Sequence, residues 1–288
     1  MLYNTPEEWL SAEHKRVTMF GMSGLGKTRM AMILSQQYDW YHYSVDYRIG
    51  SHYMGKYIVD NAVAEAKRNP TLRELLETEA ISIQLNVGFM DLTPVSCYLG
   101  KPGNSALGGL PIDEYRRRQE QFRCAEVKAL LDTEYFLNRA CQLHGQSDFI
   151  CDTGGSICEW VDPHNPNDPI LSQLAEHTLL IWLKGGEYDV NILRNRFDEE
   201  PKPMAYRADF LTNAWETYLE EHDCVEDSVD PDAFIRWTYE RSVSHRQPIY
   251  QAMSNWGVTI PATNLGACLS GSFFEEIVAE AIEQNHRD

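Results

Sequence analysis

The sequence predicts an α/β fold: a three-layer sandwich with a mainly parallel central sheet and helical insertions. Three observations carry that expectation. Short apolar runs of strand length, RVTMF at 16–20 and TLLIWL at 178–183, alternate with longer stretches of helical periodicity. A glycine-rich loop separates the first strand from the first long helix, in MFGMSGLGKTR at 19–29. The composition is that of an ordinary globular chain, 43% apolar over 288 residues, which is enough to bury a full core.

The elements follow in order. Met1–Lys15 reads as a short acidic lead-in holding one helix, and Arg16–Phe20 as a buried strand. Lys27–Tyr38 is a helix with Met30, Ile33 and Leu34 on one face. Tyr41–Asp46 reads as a second strand ending in an aspartate. Ser51–Arg117 is less regular: a basic helix over Asn61–Arg68, a helix after Pro70, then the Gly/Pro-rich YLGKPGNSALGGLP. Glu114–Leu131 is strongly helical, and Thr133–Leu143 follows it. Asp148–Asp152 is a short strand before TGGS. A helix begins after Pro169, Thr178–Leu183 is a buried strand, and Asn191–Glu200 a charged helix. Trp256–Pro261 reads as the last strand and Phe273–Gln284 as a final amphipathic helix. In such a sheet, ligands sit at the carboxyl ends of the strands.

The loop fits G-x-x-x-x-G-K-[ST] at Gly21, Gly26, Lys27 and Thr28. Strand, loop and helix in that order give the pattern its meaning as a P-loop NTPase signature. Backbone N–H groups wrap phosphate oxygens, and glycine permits turns that a side chain would block. The expected nucleotide contacts are Gly21, Met22, Ser23, Gly24, Leu25, Gly26, Lys27, Thr28 and Arg29. Lys27 reaches the β- and γ-phosphates, and the Thr28 hydroxyl holds Mg²⁺. Asp152, ending a strand beside Gly154 and Gly155, is a second Mg²⁺ candidate, direct or through water. The cofactors expected are therefore ATP and Mg²⁺.

Charge narrows the partners. With 25 Lys+Arg against 43 Asp+Glu the formal charge is −18, which repels nucleic acid and anionic membranes. Neither is expected as a partner. No apolar run approaches the ~20 residues of a membrane span, and MLYNTPEEWLSAEHKR carries no secretory signal. Seven cysteines, with no C-x-x-C pair, argue for reduced thiols and a cytoplasmic location. Cys151 and Cys158 read as small packing residues, and Arg116–Arg118 as a solvated helix face or a contact to acidic neighbours. His164 reads as a loop residue.

Further motifs keep a definite order. Asp46 ends the second strand within SVDYRI, and FRCAE carries Arg123 and Glu126, three apart and so expected to share a helix face and pair. DTGGS carries Asp152, Gly154 and Gly155, and RQPIY carries Arg246, Pro248 and Tyr250. In this order the sequence resembles the shikimate kinase family of P-loop small-molecule kinases. The family runs from glycine loop to D-x-D-x-x-I, F-R-x-x-E, T-G-G-G, a lid, and R-x-P-L-Y.

The resemblance implies an ATP-dependent kinase acting on a hydroxyl of a small, carboxylate-bearing metabolite. Asp46 would bind the acceptor hydroxyls and help take a proton. Arg123 and Arg246 would grip the carboxylate, and Gly154 and Gly155 would let the backbone approach the acceptor. A lid cation, Lys202 in EEPKPMAY, would cover the transferring phosphoryl group, with Arg194, Arg196 or Arg207 as alternatives. The chain departs from the pattern at Ser44, where the family has an aspartate, and at Ser156, where it has a third glycine. On this reading 1–288 is one kinase-like domain, with 51–117 an insertion beside the substrate site and 194–245 an extended lid region. The departures keep a second function open, an ATP-binding or ATP-hydrolysing regulator that meets a protein partner through 51–117. The tyrosines around Tyr38–Tyr57 keep open a nucleoside or nucleotide kinase.

Overall fold

Five strands, Arg16–Phe20 (β1), Tyr41–Ser44 (β2), Phe149–Asp152 (β3), Leu179–Lys184 (β4) and Val258–Pro261 (β5), form one sheet. Their order is β2-β3-β1-β4-β5 and every neighbouring pair is parallel. This is a computed structural model of the chain, and it describes residues 1–89, 91–146, 148–266 and 270–285. The expected α/β class and its parallel sheet are present.

The sheet is buried on both faces, as a parallel sheet must be. Val17 and Met19 of β1, Ile150 of β3, Ile181 and Leu183 of β4 and Ile260 of β5 lie on one face. They pack against Met30, Ala31 and Leu34 of helix Lys27–Tyr38, and against Phe274, Ile277 and Val278 of helix Gly271–Asn285. The opposite face carries Phe20, Phe149 and Cys151. There Tyr43 stacks on Phe136 and Phe149, Thr133 meets Cys151, and Tyr250 stacks on Phe20. Helices on both faces make three layers, the P-loop NTPase sandwich that the loop motif predicts.

The chain divides into two compact units. The first comprises 1–45, 127–201 and 236–288 and holds the whole sheet. The second comprises 46–126 and 202–235. The stretch 51–117, read as an insertion, falls in the second unit, and 194–245 is shared between the two.

Within the second unit, Arg118 is buried and organises its surroundings. Its guanidinium bonds Glu114 Oε1 at 2.6 Å, Asn61 Oδ1 at 3.0 Å and the Tyr98 carbonyl. Gln119 donates to Met204 O (2.9 Å) and accepts from Tyr206 N (2.9 Å), tying 202–206 to helix Ile112–Leu131. Arg117 forks onto Glu114 at 2.7 Å through both nitrogens. The basic run 116–118 is thus spent on acidic and backbone partners. Glu114 is held at about 2, chiefly by the Arg117 hydrogen bonds.

Several expected bounds change. β2 ends at Ser44, and Asp46 lies in the first turn of the short helix Val45–Arg48. The basic helix spans Gly55–Ala66 rather than Asn61–Arg68, and the charged helix starts at Glu187 rather than Asn191. Helices Ala208–Glu221 and Pro231–Met253 escape the sequence reading. The second encloses Pro248, which removes a backbone donor and normally ends a helix. Complete burial of Thr238, Ser242, Tyr250 and Met253 outweighs that cost here.

Candidate nucleotide site

The loop after β1 takes the glycine-dependent conformation that its motif requires. Gly21 takes φ +136°, and a methyl group there would lie 2.5 Å from the Leu183 carbonyl oxygen, so the loop passes directly against β4. Gly24 (φ +87°) and Gly26 (φ +102°) also lie in the left-handed region that favours glycine. Gly26 caps helix Lys27–Tyr38 without any side-chain oxygen. The first turn of that helix therefore offers backbone donors and the positive end of its dipole to any anion placed there.

Lys27 is buried, with Nζ donating to Gly21 O at 2.8 Å and Met22 O at 3.0 Å. Its ammonium is thereby drawn inside its own loop, where a phosphate would be enclosed. Thr28, next in the helix, is half-buried, while Ser23, Gly24 and Arg29 are exposed.

Strand β3 brings Asp152 alongside. Its register partners are Met19 on β1 and Ser44 on β2, so it shares the face of helix Lys27–Tyr38. Asp152 is 4% exposed, and its Oδ1 has no hydrogen-bond partner among the described residues. His42 Nε2 lies 3.6 Å from the other oxygen, Oδ2. A buried carboxylate oxygen without a partner is costly, so this one fits a cation or its water shell. The described residues contain no cluster of three or more His, Cys, Asp or Glu able to cage a metal. Mg²⁺ does not need one, since it binds through one or two protein oxygens plus phosphates. Thr28 and Asp152 suit that role.

The turn after β3 is fastened to the loop. Thr153 donates from Oγ1 to Met19 O at 2.9 Å. Gly155 packs on Ser23, where a methyl group would lie 2.4 Å from Ser23 Oγ and 2.9 Å from its nitrogen. The Gly155 carbonyl accepts from Tyr250 Oη and, at 3.4 Å, from Arg246 Nη1. Arg246 in turn donates from Nε to Glu159 Oε1 at 2.6 Å, and His245 Nε2 lies 3.5 Å from Glu159 Oε2. Glu159 is completely buried. Burial alone would raise its pKa, but His245 and Arg246 together hold it below the ordinary value. Burial works against the Arg246 charge as well, and Glu159 raises its pKa in spite of that. The carboxylate that Arg246 holds in this structure is therefore the chain's own.

Helix Glu187–Glu199 leans on the loop: Leu193 Cδ2 would lie 2.5 Å from a methyl on Gly24. Beside it is a cavity of about 520 Å³ lined by Gly186, Glu187, Asn191, Arg194, Ser244 and Gln247, among others. The Arg194 Nε is buried without a hydrogen-bond partner among the described residues. Gln247 Nε2 lies 3.1 Å from Met22 Sδ in the loop.

The first unit thus brings together the loop residues 21–29, Asp152, Gly154, Gly155 and Arg246. Asp46, Arg123 and Lys202 belong to the second unit. Arg123 forks onto Glu120 at 2.7 and 2.6 Å with its side chain 44% exposed. The expected Arg123–Glu126 pair is corrected: Glu126 faces inward, completely buried, while Arg123 faces out. Lys202 is exposed. Cys151 and Cys158 are fully buried, and burial pushes the Cys151 thiol up to about 12, as a packing role requires. A second cavity of about 520 Å³ lies within the second unit, between Tyr47, His52, Lys56, Asp60, Leu85 and Asn86.

Sequence reasoning missed His42, Glu159 and Leu193. For Glu159 the available signal is a buried arginine in R-x-P that needs a counter-ion. Nothing in the sequence marks the other two.

No protein-family model matches the chain, and no curated protein matches it. The chain is similar in structure to a crystal structure of shikimate kinase from Bacteroides thetaiotaomicron. That similarity has 12% sequence identity and a TM-score of 0.41, and it covers 94% of this chain and 98% of that one. No helix among the described residues is long and apolar enough to cross a membrane.

Proposed function

We propose that the chain is an ATP-dependent phosphotransferase acting on a hydroxyl of a small metabolite. The observation that carries this is the loop 21–28 with the Lys27 ammonium inside it, set beside a buried Asp152 oxygen that has no hydrogen-bond partner among the described residues. The order of motifs along the sequence supports the same reading.

In the proposed reaction, the acceptor oxygen bonds to the γ-phosphorus. The bond from that phosphorus to the β–γ bridging oxygen breaks, ADP leaves, and the acceptor proton passes to a base. Charge spreads over three equatorial oxygens, so catalysis consists mainly of positioning and cations. Lys27 and the first-turn N–H groups would supply that charge on the nucleotide side. Mg²⁺ held by Thr28 and Asp152 would offset phosphate charge when bound. Arg194, on the helix that leans on the loop, is favoured over Lys202 as the cation on the γ-phosphoryl side. Asp46 and Arg123 remain the proposed hydroxyl and carboxylate contacts, each tested by its own substitution.

One observation favours a second reading, an ATP-hydrolysing regulator. Both arginines expected to grip an acceptor carboxylate already hold a carboxylate of this chain, Glu159 for Arg246 and Glu120 for Arg123. ADP release, measured with and without a panel of hydroxy acids and uncharged polyols, separates the two. Release that requires an acceptor and disappears in Lys27→Ala supports the kinase. Acceptor-independent release, also lost in Lys27→Ala, supports the regulator. No release and no nucleotide binding would sink both.

A further inference from the structure

We propose that His42 is a positioning residue for Asp152: it holds one carboxylate oxygen so that the other stays available to the metal of a bound nucleotide. The inference rests on the nucleotide reading above. It starts from a geometric asymmetry. Asp152 and His42 are both almost wholly buried, with side chains 5% exposed. An ionised carboxylate in such surroundings needs compensation on both oxygens. His42 Nε2 approaches Oδ2 at 3.6 Å, an electrostatic contact longer than a hydrogen bond, while Oδ1 has no hydrogen-bond partner among the described residues.

The sheet register explains how the ring arrives there. His42 pairs with Ile150 and Ser44 with Asp152, so His42 and Asp152 lie on one face, two residues apart along parallel strands. An imidazole can span that diagonal, whereas the serine directly opposite Asp152 offers only a short hydroxyl. Through Nε2 the ring can reach only one carboxylate oxygen, the nearer Oδ2. An arginine in its place would present a fork and engage both oxygens. Histidine therefore fixes the rotation of the carboxylate without consuming it. Helix Lys27–Tyr38, which begins with Lys27 and Thr28, covers this same face of the sheet. Outer partners of metal-binding carboxylates commonly tune affinity in this way.

The test uses the full chain with ADP and Mn²⁺ as probes, Mn²⁺ binding being followed by electron paramagnetic resonance. ADP affinity is measured separately in EDTA, and thermal melts check folding. Asp152→Asn and His42→Leu are both expected to weaken Mn²⁺ binding to the protein–ADP complex about 10- to 100-fold, with metal-free ADP affinity unchanged. His42→Gln, whose amide can donate to Oδ2, is expected to recover most of the loss. If His42→Leu does not fold, His42→Asn, polar but too short to reach, takes its place with the same expectation. A folded His42 variant that keeps full Mn²⁺ affinity while Asp152→Asn loses it would overturn the inference and leave the nucleotide site intact. A parallel fall in metal-free ADP affinity, or no rescue by glutamine, would also overturn it. Failure of the wild-type chain to bind ADP at all would instead remove the nucleotide reading, and this inference with it.

Discussion

Gly155 rests on Ser23 with no room for a side chain: a methyl group on Gly155 would lie 2.4 Å from the Ser23 hydroxyl oxygen. The turn after β3 and the loop after β1 therefore set one another's position. Gly155→Ala should push the loop out of place. Overpacking of this kind costs about 1–3 kcal/mol, or roughly ten- to a hundredfold in affinity if the cost falls on the bound form. Calorimetric titration with ADP checks it, alongside a melt to separate affinity from stability. Unchanged affinity in a folded variant would show that the two turns are independent.

The Glu159–Arg246 pair should act on stability rather than on acceptor binding. Removing one partner of a buried ion pair costs about 3–5 kcal/mol, so Arg246→Ala should destabilise strongly in urea at neutral pH. The pH dependence has a definite sign. The folded-state pKa of Glu159 lies below its ordinary value, with His245 and Arg246 outweighing burial. Its contribution is present above the ordinary glutamate pKa and drains away as pH falls through the folded value. Wild-type protein should lose this part of its stability on acidification, and Glu159→Gln, lacking it already, should show a shallower acid decline.

Arg194 and Lys202 can be told apart kinetically. Arg194 lines the cavity beside the loop, and Lys202 is exposed in the other unit. Arg194→Ala should lower kcat by about 10²–10³ with a small effect on ADP affinity, as expected for a cation that acts on developing charge. Lys202→Ala should leave kcat within a few-fold. The opposite ranking would return the lid role to the P-K-P segment.

Arg123 makes a surface pair with Glu120, and such pairs are worth about 0.2–1 kcal/mol. Arg123→Ala should therefore barely change the unfolding midpoint. If Arg123 holds an acceptor carboxylate, the same substitution should raise KM for an acidic acceptor about 10- to 100-fold, the worth of a hydrogen bond to a charged group. KM for an uncharged polyol should stay as it was. Equal KM values for both acceptors in wild type and variant would discharge Arg123 from that role.

Much of this architecture is legible in the sequence because parallel strands buried on both faces are written as short, mainly apolar runs. RVTMF, FICD and LLIWL fall into that class, and each proves to be a strand. The loop is legible for a different reason: its glycines are dictated by backbone conformation, as the positive φ of Gly21, Gly24 and Gly26 shows. Pro248 misleads, because local propensity argues against a helix that tertiary burial maintains. Arg123 and Glu126 mislead more subtly. Spacing puts them near one helix face, but burial draws Glu126 inward and leaves Arg123 to Glu120. His42 and Glu159 are out of reach because their partners, Asp152 and Arg246, are brought to them only by the folded chain.

The most direct test of a nucleotide site in the 21–28 loop is equilibrium binding of Mg-ATP to the wild-type chain and to Lys27→Ala, followed by titration calorimetry. Saturable one-to-one binding by the wild type is expected, with heat that depends on Mg²⁺. Affinity should weaken by at least about 10-fold in a folded Lys27→Ala, since a charge-assisted contact is worth roughly 1.5–3 kcal/mol. No binding by the wild type, or equal binding by both proteins, would contradict it.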